Sequence, residues 1–188
     1  MYDLFNNNSN IELTRRRFLT SCAGLATALA APRVFATSAP MPDRELSFYN
    51  THTGEKLSAT FWSDGSFLQD GIEEISWLLR DHRTGNASPI DSKLLDLLHQ
   101  LQATVEYPGE FHVISGYRSP ATNKMLSNKT SGVARRSYHM LGQAIDIRLP
   151  GFDTQQLRKA AKSLKAGGVG YYSKSDFVHL DVGRVRYW

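Results

Sequence analysis

Cysteine is almost missing from this sequence: its 188 residues include one, Cys22. A disulfide within the chain is excluded, and any metal site has to be built from histidine and carboxylate rather than thiolate. A strong charge of either sign is missing too. Basic and acidic side chains number 22 and 18, a net +4, and removing residues 1–36 leaves 18 against 16. Nucleic-acid binding normally needs a concentrated basic face, which this balance does not offer. No apolar run is long enough for a membrane span; the stretch from Phe18 to Ala31 is short and rich in alanine. Repeats and low-complexity tracts are lacking as well. What remains has 41% apolar and 21% charged residues, the values of an ordinary globular domain. The length suits one domain with a real core.

Residues 1–36 read as a targeting signal rather than as part of the fold. Thr14-Arg15-Arg16-Arg17-Phe18-Leu19 resembles a twin-arginine export signal, and the weakly apolar run follows it. The arginine triplet also suits the basic start of a general secretory signal. Val34-Phe35-Ala36 fits a small-x-small cleavage site, with a mature start near Thr37. Leu19-Thr20-Ser21-Cys22 is similar to a lipoprotein box, but almost no apolar core separates it from the arginines, so no stable membrane anchor is expected. Cys22 leaves with the signal, and the mature chain has no thiol nucleophile.

Residues 37–45 are Pro-rich and polar and read as a linker; residues 46–188 form the domain. LSFYNTH and KLSATFW flank Thr53-Gly54-Glu55, which predicts a hairpin, and Asp64-Gly65 predicts a turn. Leu68, Ile72, Ile75 and Leu79 recur at helical spacing in a segment reaching Arg83, with Thr84-Gly85-Asn86 as its stop. Asp91 can cap a second helix carrying Leu94, Leu95, Leu98 and Leu101, and Ser119-Pro120 opens a third. FHVIS (residues 111–115) reads as a buried strand, residues 127–138 as a basic loop, and AIDIRL as a strand. Asp153 caps a last helix through Leu164, before the strands VGYY and FVHLDV. This order predicts an α+β fold with a small, mainly antiparallel sheet flanked by helices.

Strand alternation separates the chemistry from the core. In AIDIRL it puts Ala144, Asp146 and Arg148 on one face, and Ile145, Ile147 and Leu149 on the other. In FVHLDV it groups Phe177, His179 and Asp181 opposite Val178, Leu180 and Val182. Gly142 permits a sharp turn that returns His139 to Asp146. His139, Asp146 and His179 thus form a candidate three-ligand cluster. Two imidazoles and a carboxylate suit zinc, and three protein ligands leave a fourth position for water, as in catalytic sites. The same spacing is equally met by a strand-edge carboxylate and two packed histidines. His52, His82, His99 and His112 have no paired ligand spacing.

Ser137-Tyr138-His139-Met140-Leu141-Gly142-Gln143-Ala144-Ile145-Asp146 resembles the S-x-H-x-x-G-x-A-x-D motif of the LAS group of zinc peptidases. SGYRS and a late D-x-x-H are similar to its D-Ala-D-Ala peptidase branch. AGGVGYY and FVHLDVGRVRYW resemble, within that branch, the YcbK-like murein endopeptidases. The resemblance implies a LAS/hedgehog-like fold with Zn2+ on His139, Asp146 and His179. It implies peptidoglycan peptide cross-links as substrate, export by the twin-arginine translocase, and a periplasmic location. Arg118 matches the arginine that binds the peptide and stabilises the oxyanion, and Ser137 matches a serine near the substrate.

Two carboxylates compete for the general base. Asp176 stands where the D-x-x-H members place the proton acceptor, but alternation turns it away from His179 unless residues 173–176 are loop. Asp181 shares the face of His179, as base or as a carboxylate orienting the ring; Asp176 is preferred. Lys129, Arg135 and Arg136 are expected to be a solvated basic loop, and Tyr117, Tyr171 and Tyr172 to pack. The expected activity is a zinc-dependent murein endopeptidase. A D-alanyl-D-alanine carboxypeptidase, or a wall-binding domain that keeps zinc for folding, are the alternatives.

Overall fold

The computed structural model describes residues 41–130 and 132–188; the export signal expected over residues 1–36 lies outside the described residues. β1 (Arg44–Asn50) and β2 (Lys56–Ser63) form the predicted hairpin, paired from Arg44↔Trp62 to Tyr49↔Lys56 with a register shift between Arg44 and Glu45. β1 starts at Arg44, just inside the segment read as linker. Alternation turns Leu46, Phe48 and Asn50 inward. Asn50 is satisfied in its buried position. Its Nδ2 donates to the Leu78 carbonyl at 2.9 Å, and its Oδ1 accepts from the His52 and Thr53 amides. β3 (Ser66–Phe67) follows the Asp64-Gly65 turn as an edge strand.

The helices are α1 (Gln69–Leu78), α2 (Ser92–Thr104), α3 (Pro120–Lys129) and α4 (Thr154–Leu164). Three begin on the predicted caps: Asp91 accepts from the Lys93 amide, Ser119 from Thr122 and Asp153 from Gln156. α1 stops at Leu78 instead of reaching Arg83. Asp81 gives the reason, since its buried carboxylate accepts from the Arg83 and Ser119 amides, each at 2.9 Å. The chain leaves the helix to brace the start of α3. Burial alone would raise the Asp81 carboxyl, but the Ser119 and Thr122 hydroxyls, together with the Arg83 and Ser119 amides, hold it well below the usual carboxylate range.

β4 (Phe111–Ser115), β5 (Ala144–Arg148), β6 (Gly168–Tyr172), β7 (Phe177–Asp181) and β8 (Arg186–Tyr187) complete one sheet, ordered β3-β2-β1-β4-β5-β7-β6-β8. The α+β class and the mainly antiparallel pairing are as expected, but the sheet is broader and includes two parallel joins. β1 joins parallel to β4 and β8 parallel to β6, while the remaining pairs are antiparallel. Helices α1, α2 and α4 pack onto the sheet. There Phe48, Phe61, Phe111, Ile145, Ile147 and Leu180 are fully buried, each stabilising the fold by about 1.5–3 kcal/mol. The opposite face of β4, β5 and β7 carries polar side chains, bordered by α3 and the 3-10 turn Tyr138–Leu141.

Candidate active site

Three local features bring the polar residues together. β5 and β7 pair with Asp146 directly opposite His179, and Ala144 opposite Asp181, a spacing that lets side chains touch. Gly142 ends the 3-10 turn in the left-handed region at φ 66° and folds His139 back toward β5. A Cβ at that position would collide with the Pro89 carbonyl. A register shift in β4 between Val113 and Ser115 sets Ser115 opposite Asp146. Such bulges re-aim the chain beyond them, and Arg118 lies three residues on.

The three candidate ligands meet in a buried cluster. His139 Nε2 lies 3.3 Å from Asp146 Oδ1 and 3.2 Å from His179 Nδ1; His179 Nδ1 lies 2.8 Å from the same carboxylate oxygen. Each ring's other nitrogen is committed elsewhere. His139 Nδ1–H donates to the Gly116 carbonyl at 2.7 Å, and His179 Nε2–H donates to Asp181 Oδ2 at 3.1 Å. The remaining ring nitrogens therefore converge on Asp146. Tetrahedral coordination with bonds of about 2.0–2.1 Å separates ligand atoms by about 3.3 Å, close to the spacings here. The donor set and its geometry fit a divalent metal ion.

Without a metal, the cluster's charges lean on one another. Burial alone would raise the Asp146 carboxyl, but the two imidazoles hold it well below the usual range. Burial opposes a charged imidazole at His179, and the Asp146 and Asp181 carboxylates outweigh it, pushing the ring up to about 9.

Asp181 is fully buried and its oxygens are saturated. Besides His179 it accepts two hydrogen bonds from Arg186, at 2.7 and 3.0 Å, and one each from the Gly183 and Gly168 amides. Those bonds overcome the upward push of burial and hold its carboxyl well below the usual range. Asp181 thus sits behind His179, on the side away from Asp146.

Asp176 does not join the cluster. Its Oδ1 accepts from the Thr154 hydroxyl at 2.8 Å, its Oδ2 lies 3.9 Å from Arg148, and its side chain is 63% exposed. Residues 173–176 are indeed a turn, with Asp176 at φ 51°, yet its carboxylate meets Thr154 and Arg148 rather than the cluster. Its neighbours Ser175 and Phe177 both line the cavity above the cluster.

That cavity has a volume of about 940 Å3, with Asp146, His139 and His179 in its lining. Arg118 projects into it from the β4–α3 connection. Its backbone amide donates to the His139 carbonyl at 3.1 Å, and its guanidinium lies 3.2 Å from Ser115 Oγ and 3.6 Å from Asp146. Nε of Arg118 is buried and has no hydrogen-bond partner among the described residues. Ser137 also lines the cavity, and its hydroxyl accepts from the His139 amide at 3.4 Å as the cap of the 3-10 turn.

Two contributors escaped the sequence reading. Arg186 braces Asp181, and the last residue, Trp188, sets its indole 5.3 Å from the His179 ring. Trp188 is held by backbone pairing with Val169 and Tyr171 and by its indole N–H, which donates to the Tyr172 hydroxyl at 3.1 Å. Gly170 makes room for it, since a Cβ there would lie 2.6 Å from the indole. A two-residue strand at a chain end leaves no periodicity to read. Tyr172 faces the cavity, whereas Tyr117 and Tyr171 pack on the core as expected. Arg136 also lines the cavity, as does His52, whose ring stacks on His82 at 3.8 Å.

Comparison with known proteins finds similarity over almost the whole chain. A family model described as peptidoglycan L,D-endopeptidase MepK fits residues 38–188. The peptidoglycan L,D-endopeptidase MepK of Escherichia coli strain K12 is 41% identical over 176 residues, 92% of this chain and 96% of that protein. The protein of that name in Shigella flexneri matches equally. In Haemophilus influenzae the probable peptidoglycan L,D-endopeptidase MepK is 37% identical over 182 residues, 95% of this chain and 97% of its own length. Similarity this even, spanning every strand and turn that builds the cluster, makes the chain a member of the peptidoglycan L,D-endopeptidase MepK family.

Proposed function

We propose that this chain is a zinc-dependent endopeptidase that cuts peptide cross-links of peptidoglycan, at a bond joining L- and D-configured centres. The observation that carries the reading is the buried His139–Asp146–His179 cluster on a cavity wall, with each imidazole's outer nitrogen tied down. His139 Nε2, Asp146 Oδ1 and His179 Nδ1 would hold the ion, and zinc there supplies a Lewis acid and a water acidic enough to attack near neutral pH.

The chain's own residues have separable tasks. Arg118 presents a guanidinium that is largely desolvated and incompletely paired; it donates to the carbonyl oxygen of the scissile bond as negative charge grows there. Ser137 holds the His139 turn and offers its hydroxyl to the peptide. Asp181 orients His179 and, being saturated, carries no proton. Asp176 takes the proton of the attacking water and returns it to the leaving amine, its carboxylate turning from Thr154 toward the cavity between Ser175 and Phe177. Export through the twin-arginine translocase to the periplasm completes the reading, supported by Arg15-Arg16-Arg17-Phe18-Leu19. No helix among the described residues is long and apolar enough to cross a membrane.

Digestion of intact sacculi by zinc-loaded protein, followed by mass analysis, tests this. Cross-linked dimers should fall to monomers, and Asp176→Ala should slow release by about 10²-fold or more. Monomers losing alanine while dimers persist would make it a carboxypeptidase. Binding of sacculi without release would make it a wall-binding domain. Equal activity of Asp176→Ala and wild type would remove Asp176 as the base.

A further inference from the structure

The cavity is strongly one-signed. Five arginines line it, Arg83, Arg118, Arg136, Arg184 and Arg186, and Asp146 is the only carboxylate among the lining residues. Arg186 is committed to Asp181, and Arg118 lies beside Asp146. Arg83, Arg136 and Arg184 have no carboxylate partner among the described residues. They arrive from three separate elements: the α1–α2 connection, the loop before the 3-10 turn, and the β7–β8 connection. All three side chains are exposed. Arg83 is held in place, since its amide donates to the Asp81 carboxylate that also braces Ser119.

Stability does not account for this grouping. Like charges around a concave wall repel one another and focus a positive potential into the cavity. A bound divalent ion would add to that potential. Solvated arginines on a convex surface would face outward singly, whereas these converge on the space above the cluster.

Resting on the endopeptidase reading, we propose that Arg83, Arg136 and Arg184 recognise free carboxylates flanking the scissile bond. The substrate class is therefore a cross-linked wall peptide with free acid groups, rather than one in which they are amidated. Arginine suits the task because its planar fork meets a carboxylate with two parallel hydrogen bonds. The pairs lie at an open rim, so each contributes modestly and is screened by salt.

The test uses zinc-loaded mature protein and two cross-linked peptide dimers of identical sequence, one with free carboxylates and one amidated. Hydrolysis is followed as kcat/KM, and binding by calorimetry. Wild type should favour the free-acid dimer by about tenfold or more, with the preference shrinking at high salt. Arg83→Gln, Arg136→Gln and Arg184→Gln should each lower that preference by about two- to fivefold, the scale of single exposed charge pairs. The corresponding Arg→Lys variants should keep part of it. Equal handling of the two dimers by wild type, in binding and hydrolysis, overturns the proposal. So does a loss in the Arg→Gln variants that is the same for both dimers, because a merely structural role would act on both. If neither dimer is cut, the endopeptidase reading fails, and the binding preference still decides the role of the arginines.

Discussion

The two faces of the β5–β7 pair alternate along the same ten residues, yet they do opposite work. On one face Ile145, Ile147, Val178 and Leu180 are wholly buried beneath the helices. On the other, Asp146, His179 and Asp181 are nearly as inaccessible, at 7%, 9% and 0% exposure. The apolar face gains free energy by leaving water. The polar face loses it unless every donor and acceptor finds a partner. That is why the second face carries so dense a network: Asp181 alone accepts from His179, Arg186, Gly168 and Gly183. Burial therefore does not distinguish core from site in this protein; the kind of partner does.

Four experiments break or sharpen this contrast. His139→Ala or His179→Ala, on the polar face, should abolish stable metal binding and cost activity about 10³-fold or more, since several kcal/mol of charge stabilisation is removed. Metal analysis after dialysis checks it, and full metal content would refute the ligand assignment. Ile147→Ala, on the apolar face, should lower unfolding free energy by about 2–5 kcal/mol in urea titration, while the folded fraction keeps its metal affinity. A large affinity loss there would mean that the faces are coupled. Asp181→Asn should weaken metal affinity by about 10–100-fold in chelator competition, because an unoriented ring is a poorer ligand; an unchanged affinity would reduce Asp181 to a structural partner of Arg186.

The last and smallest effect is on pH. In the metal-free protein His179 is raised to about 9 from an ordinary 6.5. Its protonated form thus stabilises the metal-free fold fully below about 6.5, and that contribution is lost as pH rises through about 9. A metal must displace this proton, so affinity should strengthen with pH up to about 9, by at most about tenfold per unit. Calorimetry in buffers of differing ionisation enthalpy should show proton release on zinc uptake at pH 7.5; none would contradict the raised value.

Much of this was legible in one dimension. The caps Asp91, Ser119 and Asp153 act within one turn of themselves, and strand alternation is a local rule, so the helix starts and the faces of β5 and β7 could be read directly. α1 ends short of the Arg83 that its apolar spacing predicts because Asp81 binds Ser119, 38 residues away, and no local pattern reports such a bond. The parallel joins of β1 to β4 and β8 to β6 are likewise long-range pairings.

The contrast between Asp176 and Asp181 marks the boundary. Alternation by itself determined that Asp181, and not Asp176, shares the face of His179, and the S-x-H-x-x-G-x-A-x-D spacing determined which residues can cluster. Only the tertiary structure decided what each carboxylate meets at its position. Asp181 is closed off by Arg186 and two backbone amides, while Asp176 is left exposed beside Thr154. The convergence of Arg83, Arg136 and Arg184 on one cavity belongs to the same category. Which side chain lies along a given face follows from the backbone period. What it meets there depends on segments that are distant in the chain, and folding alone brings those together.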